Sequence, residues 1–382
     1  MRRALAITTI FASAVLPARA APAPETGPKC RVAEPAAPTE PADDGLRVAT
    51  FNVLHGLTNS EPDYPSAATL AARTLLQAEQ IAADGIDVLG LQEVSMIEPN
   101  EATPSDHPAE QALALAEALA GETGERWWWC WYLANPHFPA EPDLQEGGGG
   151  PVSDLEAQLV STFTGAPYAI FKEGLAVISR YEIVDAEGVH LPGRLPAEIP
   201  LCFVESDPFC ALTAVGETRA AIWARIQTPG GSVEITSTHL AHDITSASDY
   251  SSLVQAEVAL SFAEAKAAAG APDHAFFVCD CNSEPEDTVP VTQFIEQRGW
   301  SNTLPGGCGD GVCTSGSDVI VTDDPARAMD ERLDYVFTRA GTCTAPSTAT
   351  EALFAGEPAA YGTRWLWPSD HIGVAANVTA CA

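Results

Sequence analysis

The hydrophobic pattern of the first part of the chain predicts a strand, a helix and a second strand. Residues 46–53 alternate apolar and polar side chains, as a half-buried strand does. Residues 66–83 have the spacing of a helix. Residues 86–94 then form a short, nearly continuous apolar run that ends in Gln92-Glu93, which is typical of a strand buried on both faces.

The rest of the pattern predicts many strands with few helices between them. Helices are expected at residues 108–120 and 250–269, and further strands at residues 127–132, 174–179, 219–227, 233–239, 276–280, 333–338 and 373–378. Such an order favours an α/β fold in which two mixed β-sheets pack face to face with helices outside, a four-layered sandwich. It does not favour one doubly wound sheet.

Before the first strand, two segments are expected to lie outside the fold. Residues 1–20 combine a basic start, an apolar stretch and a small-residue cleavage pattern, which predicts a secretory signal peptide. Residues 21–44 are rich in Pro and Ala and predict a disordered lead-in. Residues 45–382 then form one domain with a surface insertion at about 135–167, and no transmembrane segment is predicted.

The aromatic run at residues 127–132 has two interpretations. Four tryptophans in this stretch can fill the core of a sandwich or the rim of a substrate cleft. They can also insert into lipid headgroups. Packing in the core or at the rim is the favoured interpretation.

Net charge restricts the partners of this protein. The sequence has 52 acidic against 19 basic residues, a formal net charge of −33. Because proteins that grip nucleic acid neutralise phosphates with Lys and Arg, tight non-specific binding to nucleic acid is disfavoured. A nuclease with a local metal site is still compatible with this charge. Adaptation to salt, or to a need for solubility, is the simplest explanation of the acidity.

Ten cysteines in a chain expected to be exported predict disulfides. Two pairs are close enough in sequence to close local loops, Cys202 with Cys210 and Cys308 with Cys313. A zinc site at Cys279 and Cys281 is the weaker alternative, because no second Cys or His pair with suitable spacing lies nearby. These features together predict a secreted protein, extracellular or periplasmic.

Polar side chains that suit phosphate chemistry occur at or near the ends of the predicted strands. They are Asn52, Glu93, His239, Asp280, Asn282, Asp334, Asp370 and His371. Taken singly, most would be turn, cap or surface residues. Collected at one edge, the carboxylate and amide oxygens suit Mg²⁺, with Mn²⁺ or Ca²⁺ as alternatives, and the histidines suit acid–base catalysis near neutral pH.

These residues lie in sequence blocks that resemble the endonuclease/exonuclease/phosphatase superfamily, which has the DNase I-like fold. The blocks are Thr50-Phe51-Asn52-Val53, Gln92-Glu93-Val94, Gly174 to Arg180, Thr238-His239-Leu240, Asp280-Cys281-Asn282, Leu333 to Phe337 and Ser369-Asp370-His371. They occur in the family's order and span residues 46–378. The resemblance implies a secreted bacterial-type member of this superfamily.

By this resemblance, three residues belong to a metal site. Glu93 is the main ligand, Asn52 belongs to the same site, and Asp370 is an additional ligand.

The resemblance also assigns the catalytic residues. His371 activates the attacking water, Asp334 orients its imidazole, and Asp280 positions the nucleophile. Asn282 and His239 donate to phosphate oxygens in the transition state.

Arg219 is expected either to face the substrate or to form a structural ion pair. The sequence departs from the family at Cys279, where glycine is common, and at Cys281, where a bulky apolar residue is usual.

The function expected from the sequence is that of a divalent-metal-dependent phosphohydrolase, which cleaves a phosphodiester or phosphomonoester with activated water. An extracellular DNase and a sphingomyelinase-type phospholipase are alternatives within the same chemistry. A non-catalytic binding module with the same fold is an alternative of another class.

Overall fold

In the computed structural model, the described residues form two large β-sheets and four α-helices. The structure describes residues 27–36, 45–54, 67–98, 110–140, 169–192, 219–241, 249–287, 290–316, 321–323, 325–326, 328–341 and 351–378. The helices are α1 (Ala67–Ala83), α2 (Gln111–Thr123), α3 (Asp249–Gly270) and α4 (Val291–Gln297).

Strands are numbered along the chain. The seven-stranded sheet has the spatial order β1 (Lys29–Ala33), β4 (Trp127–Ala140), β5 (Ala169–Ser179), β3 (Val88–Glu98), β2 (Leu46–Asn52), β18 (Gly373–Val378) and β15 (Glu351–Phe354). The six-stranded sheet has the order β10 (Ser301–Asn302), β14 (Asp334–Ala340), β9 (His274–Asp280), β8 (Gly231–His239), β7 (Arg219–Thr228) and β6 (Glu182–Leu191). Two small sheets pair β11 (Ser315–Gly316) with β13 (Met329–Glu331), and β12 (Val321–Thr322) with β17 (Arg364–Leu366) and β16 (Ala359–Tyr361).

The predicted sandwich of mixed sheets and helices is confirmed. Val88 of the first sheet and Val278 of the second are fully buried in one apolar cluster, which joins the inner faces of the two sheets. The outer face of the first sheet packs against α2 through Leu115 and Leu119, and the outer face of the second packs against α3 through Ala259 and Leu260. The order of layers is therefore helices, sheet, sheet, helices.

Pairing within the sheets brings several strand ends to one rim. β2 runs parallel to β3, and β8 runs parallel to β9. β14 is antiparallel to β9 and begins at Asp334, opposite Asp280 at the end of β9. The carboxyl ends of the parallel strands and the start of β14 therefore lie at the same edge of the sandwich.

Two of the expected boundaries are wrong. The lead-in predicted for residues 21–44 contains strand β1, which pairs with β4 and is joined to it by a disulfide between Cys30 and Cys130. The insertion predicted from residue 135 begins too early, because β4 continues to Ala140. Residues 141–167 of that insertion, and the predicted signal peptide at residues 1–20, lie outside the described residues.

The aromatic run fills the core. Trp127, Trp129 and Trp131 are at most 1% exposed and pack in the cluster between the first sheet and α2. The indole nitrogen of Trp131 donates to the backbone carbonyl of Val94 at 2.9 Å. These three indoles therefore cannot reach a lipid headgroup. In the part of the chain that the structure describes, no helix has both the length and the apolar character needed to cross a membrane.

Disulfides account for the described cysteines. The predicted local bridge between Cys308 and Cys313 is confirmed, and Cys279 is bonded to Cys281. The zinc alternative at that last pair is therefore wrong, because disulfide sulfurs are not thiolate ligands. Cys202 and Cys210 lie outside the described residues.

Candidate active site

The rim at the strand ends collects the polar residues singled out in the sequence. Asn52 ends β2, His239 ends β8 and Asp280 ends β9. Asp334 begins β14, and His371 lies just before β18. Each of the five side chains is at most 6% exposed, so the polar groups interact with little screening by water.

A β-bulge places Glu93 at this rim. Between β3 and β5, Leu91 pairs with Ala176 and Val94 with Gly174, so two residues of β3 oppose one residue of β5. Glu93 has a φ of 56°, a conformation that costs a non-glycine residue about 1–3 kcal/mol. The neighbouring Gln92 stays buried, while the bulge directs Glu93 away from the ladder towards the site.

Asn52 links two carboxylates. Its side-chain nitrogen donates to Oε1 of Glu93 and to Oδ2 of Asp280, both at 2.9 Å. Its side-chain oxygen accepts from the backbone nitrogen of Leu54 at 3.0 Å. In this arrangement Asn52 holds Glu93 and Asp280 close to each other, and its assignment as a metal ligand stays a prediction.

His371 and Asp334 form a buried pair. Nδ1 of His371 lies 2.7 Å from Oδ2 of Asp334. Burial alone lowers the pKa of the His371 imidazole. The carboxylates of Asp334, Asp370 and Asp280 outweigh that effect and raise the pKa well above its ordinary value. The pair fixes the ring so that Nε2 faces Asp280, whose Oδ2 is 3.8 Å away.

Burial raises the pKa of the Asp280 carboxyl to about 7. His371 lowers it, the charge of Asp334 raises it, the hydrogen bond from Asn52 lowers it and the charge of Glu93 raises it. The protonation of a carboxyl group with such a pKa changes readily when a charge enters the site. Shifted pKa values of this kind are common at catalytic positions.

His239 belongs to a second buried group. Nη1 of Arg219 lies 2.7 Å from Nδ1 of His239 and 3.5 Å from Oε1 of Glu173. Because a guanidinium only donates, Nδ1 of the neutral imidazole accepts and Nε2 carries the proton. Of the two roles expected for Arg219, the structural ion pair is present. The partner Glu173 was not singled out in the sequence.

Asn282 extends the site beyond the end of β9. It has a φ of 46°, and its backbone nitrogen donates to Oδ1 of Asp280 at 3.1 Å. Its side-chain nitrogen donates to the carbonyl of Leu240 at 2.9 Å and lies 2.9 Å from Nε2 of His239. The side chains of Asn282 and His239 are therefore in direct hydrogen-bond contact next to Asp280.

Two groups of side chains have the geometry to surround a cation. Potential ligand atoms of Glu93, His239 and Asp280 lie within 4.8 Å of one another, and so do those of Asp280, Asp334 and His371. Both ring nitrogens of His239 already have partners, Arg219 at Nδ1 and Asn282 at Nε2. Glu93 and Asp280 supply hard oxygen donors, which fit a divalent cation such as Mg²⁺.

Asp370 lies next to this position but in neither of the two groups found among the described residues. Its Oδ1 accepts from the hydroxyl of Ser369 at 3.1 Å. Burial lowers the pKa of Arg73 to about 10, while the charges of Asp370 and Glu93 raise it. Asp370 therefore interacts electrostatically with the buried guanidinium of Arg73, which sequence analysis missed. The role of Asp370 as a metal ligand stays a prediction.

Thr314 is a further residue that sequence analysis missed. Its hydroxyl oxygen accepts from the backbone nitrogens of Leu333 at 3.0 Å and Asp334 at 3.1 Å. Its carbonyl accepts from the backbone nitrogen of Ile372 at 2.7 Å. Thr314 thus ties the segment that carries Asp334 to the segment that carries His371.

Solved structures of other proteins share the fold of this chain. No curated protein matches the sequence. Among solved structures, an endonuclease/exonuclease/phosphatase from Beutenbergia cavernae DSM 12333 is 20% identical with a TM-score of 0.51, covering 88% of this chain and 71% of its own. The mannosyl-6-phosphatase of Bacteroides thetaiotaomicron VPI-5482 is 13% identical with a TM-score of 0.51, covering 87% of this chain and 98% of its own. At these identities the likeness concerns the fold.

A family profile matches most of the chain. The profile of the Endonuclease/Exonuclease/phosphatase family aligns with residues 49–371, a range that begins inside β2 and ends at His371. The chain therefore belongs to the endonuclease/exonuclease/phosphatase family.

Proposed function

We propose that this protein is a secreted, divalent-metal-dependent phosphohydrolase that cleaves phosphate esters with an activated water molecule. The observation that carries the proposal is the juxtaposition of two units around Asp280. On one side Asp280 shares the amide of Asn52 with Glu93, and on the other its Oδ2 lies 3.8 Å from Nε2 of His371. A hydrolase needs a cation site and a base for water next to each other.

His371 acts as the base that takes the proton from water. In the base form of the ring, with the Nδ1 proton donated to Asp334, Nε2 is an acceptor, and the carboxylates that raise the pKa of His371 make it a stronger base. Asp280 accepts a second hydrogen bond from the same water, because its Oδ2 faces Nε2. The pair of acceptors orients the oxygen lone pair towards the phosphorus atom.

His239 and Asn282 hold the phosphate. Nε2 of His239 and the side-chain nitrogen of Asn282 are in hydrogen-bond contact at 2.9 Å. A phosphate oxygen that binds both groups would replace this contact, and it becomes more negative in the transition state. Arg219 fixes the tautomer of His239 and adds positive charge behind it.

Glu93 and Asp280 would hold the cation. A divalent ion bound there would supply charge neutralisation of the phosphoryl oxygens and of the leaving oxyanion. The hydrogen bonds from Asn52 keep both carboxylates in place. Mg²⁺ is preferred for its hard oxygen ligands, with Mn²⁺ and Ca²⁺ as alternatives.

Export is part of the proposal. The basic and apolar start of the sequence predicts a signal peptide, and three disulfides are present among the described residues. Disulfides persist in oxidising compartments.

The test is a substrate panel with purified protein that lacks residues 1–20. Plasmid DNA, RNA, sphingomyelin, inositol phosphates and bis-p-nitrophenyl phosphate are each assayed with Mg²⁺, Mn²⁺, Ca²⁺ or chelator. We expect activity that needs the metal and that falls about 10²–10⁴-fold in His371→Ala. His190→Ala is the matched control, since His190 is an exposed histidine on β6, and it should retain activity. Activity that survives both chelator and His371→Ala would refute the proposal.

A further inference from the structure

The charges around the site suit a single phosphate group. Arg219 and Arg73 are buried at 5% and 0% exposure, and His239 and His371 are buried with them. Arg219 already contacts His239 and Glu173. Arg219 lies beside His239, which contacts Asn282, and Arg73 interacts with the charges of Asp370 and Glu93.

Outside the site, the described basic side chains are engaged with acidic residues or with backbone carbonyls. The ion pairs are Arg31–Glu110, Arg126–Glu34, Arg180–Asp87, Arg225–Glu234, Lys266–Glu187, Arg298–Glu257, Arg339–Glu264 and Arg364–Asp323. Arg47 and Arg332 donate to backbone carbonyls, and Lys29 lies over the ring of Trp131. Cations that are already paired are poor partners for the successive phosphates of a polynucleotide.

Five of the stretches that connect the described helices and strands are also poor in basic residues. Residues 55–66, 99–109, 141–168, 193–218 and 242–248 contain Arg194 as their only lysine or arginine, and each of these five stretches contains acidic residues. The formal net charge of −33 is therefore not balanced by a basic stretch in any of them. A polyanion that approaches this protein is repelled over about 10 Å at 0.1 M salt.

We propose that the substrate is an ester with a single phosphate group joined to otherwise neutral organic groups, and that polynucleotides are poor substrates. This inference rests on the proposed phosphohydrolase function. A neutral alcohol or sugar adds no charge beyond the phosphate that the site itself neutralises. A polynucleotide brings a further negative charge with each nucleotide, and the described arginines outside the site that could meet it are already engaged with acidic residues or backbone carbonyls.

The test compares single-phosphate esters with a polyanion, and TpT has the same bond type as the polyanion. p-Nitrophenyl phosphate, a hexose 6-phosphate and the dinucleotide TpT are assayed against a thymidine oligomer of about 20 nucleotides, with rates expressed per bond. We expect kcat/KM for TpT to exceed that for the oligomer by about 100-fold or more. The oligomer's value should rise between about 0.01 M and about 0.1 M salt, because salt screens repulsion. If the oligomer is the better substrate and its rate falls with salt, a cationic groove exists and the inference is overturned.

A binding measurement separates this inference from the proposed function. If no substrate is turned over with any metal, the proposed function fails. Fluorescence anisotropy of the labelled oligomer still tests whether the protein binds polynucleotides. Dissociation constants weaker than about 10⁻⁴ M at low salt support the inference, and tighter binding overturns it.

An independent observation concerns the turn that carries Asp280. Cys279 and Cys281 are fully buried in the cluster under α3 and α4, and the Asp280 carboxylate between them bonds to Asn52 in the site. The Cα atoms of the two cysteines are 5.1 Å apart. Two steps along an extended strand would span about 6.7 Å. The chain is therefore contracted at Asp280, where β9 ends.

The residues after the disulfide continue this tight geometry. The backbone nitrogen of Cys281 donates to the carbonyl of Leu333 at 2.8 Å, next to the segment that carries Asp334. Asn282 follows in the left-handed region. We propose that the Cys279–Cys281 disulfide is a positioning element for Asp280 and Asn282. Like the proposal about the substrate, this one rests on the proposed phosphohydrolase function.

Substitution tests this role, because a dithiol would reach the partly exposed Cys308–Cys313 bridge before the fully buried Cys279–Cys281 bridge. The variant Cys279→Ala/Cys281→Ala removes the bridge. The control variant Cys30→Ala/Cys130→Ala removes the bridge between β1 and β4, away from the rim.

The expected result is a loss of kcat of about 10- to 100-fold and weaker Mg²⁺ binding, with KM less affected, because small displacements of catalytic groups cost this much. Circular dichroism should show that the fold is retained. The control should lose thermal stability but keep kcat below its melting temperature. Full kcat and metal affinity in Cys279→Ala/Cys281→Ala would overturn the proposal, and so would an equal loss of kcat in the control.

Discussion

Nδ1 of His371 lies 2.7 Å from Oδ2 of Asp334, and both side chains are almost completely buried. The carboxylate fixes which ring nitrogen carries the proton and therefore leaves Nε2 to face Asp280. This contact joins the loop before β18 to the start of β14. The geometry of the proposed base thus depends on a residue that does not itself need to touch the substrate.

Asp334→Asn should abolish most activity while keeping the shape of the site. The amide can donate to Nδ1, which would place the proton on Nε2, the nitrogen that must accept it from water. We expect kcat to fall by about 10²–10⁴-fold with little change in KM. Steady-state kinetics measures this change, and an unaltered kcat would remove Asp334 from the mechanism.

Thr314→Val tests whether the hydroxyl of Thr314 holds the His371–Asp334 pair in position. The substitution leaves the backbone N–H groups of Leu333 and Asp334 without their acceptor, at a cost of about 1–3 kcal/mol for each buried group. Urea unfolding should show the lower free energy of unfolding, and kcat should fall because Asp334 shifts. Thr314→Ser retains the hydroxyl and should behave like the wild type. Full stability and kcat in Thr314→Val would show that the hydroxyl does not support this pair, and equal losses in both variants would show that the effect is not specific to the hydroxyl.

The sequence could predict the residues at strand ends, because their polarity interrupts an apolar run at a definite place. Asn52, His239 and Asp280 each end a strand in the structure, as expected. The two-sheet sandwich followed from the order of the runs. The sequence around Glu93 does not predict its strained backbone conformation, because a β-bulge depends on how β3 pairs with β5.

The residues that sequence analysis missed act through contacts made only in the folded chain. Arg73 lies on α1, where a basic residue is normally solvated, yet it is 0% exposed beneath the site. Glu173 lies within β5, and its importance comes from Arg219, which is distant in sequence. β1 was missed because a Pro- and Ala-rich stretch has no apolar period. Its pairing with β4 is supported by the Cys30–Cys130 bond.

Glu93→Gln should weaken metal binding. The substitution keeps the size of the side chain but removes one of the two carboxylate charges that face the proposed cation. In wild-type protein, saturation to 100 times the dissociation constant stabilises the fold by about 2.7 kcal/mol. The variant should need at least about tenfold more Mg²⁺ for the same rise in melting temperature. Glu117→Gln on the exposed side of α2 is the control, and an equal metal response in both variants would rule out Glu93 as a ligand.

The stability of the metal-free protein should depend on Asp280 in a definite pH range. Its pKa is raised from 3.8 to about 7 in the folded protein, so the folded state favours the protonated carboxyl. That contribution to stability is complete below the unfolded pKa and is lost as the pH rises through about 7. Calorimetry in chelator should show the wild type losing stability relative to Asp280→Asn across this range. Parallel pH curves for the two proteins would contradict the assignment.

The Cys30–Cys130 bond should contribute more to stability than the Cys308–Cys313 bond. The first closes a separation of 100 residues and the second a separation of 5. Loop-closure entropy gives about 4.7 kcal/mol for the longer loop and roughly 2 kcal/mol for the shorter one. Cys30→Ala/Cys130→Ala should therefore lower the urea midpoint more than Cys308→Ala/Cys313→Ala. The opposite order would mean that β1 adds little to the first sheet and that the short bridge, next to Thr314, stabilises the site segment by its native contacts.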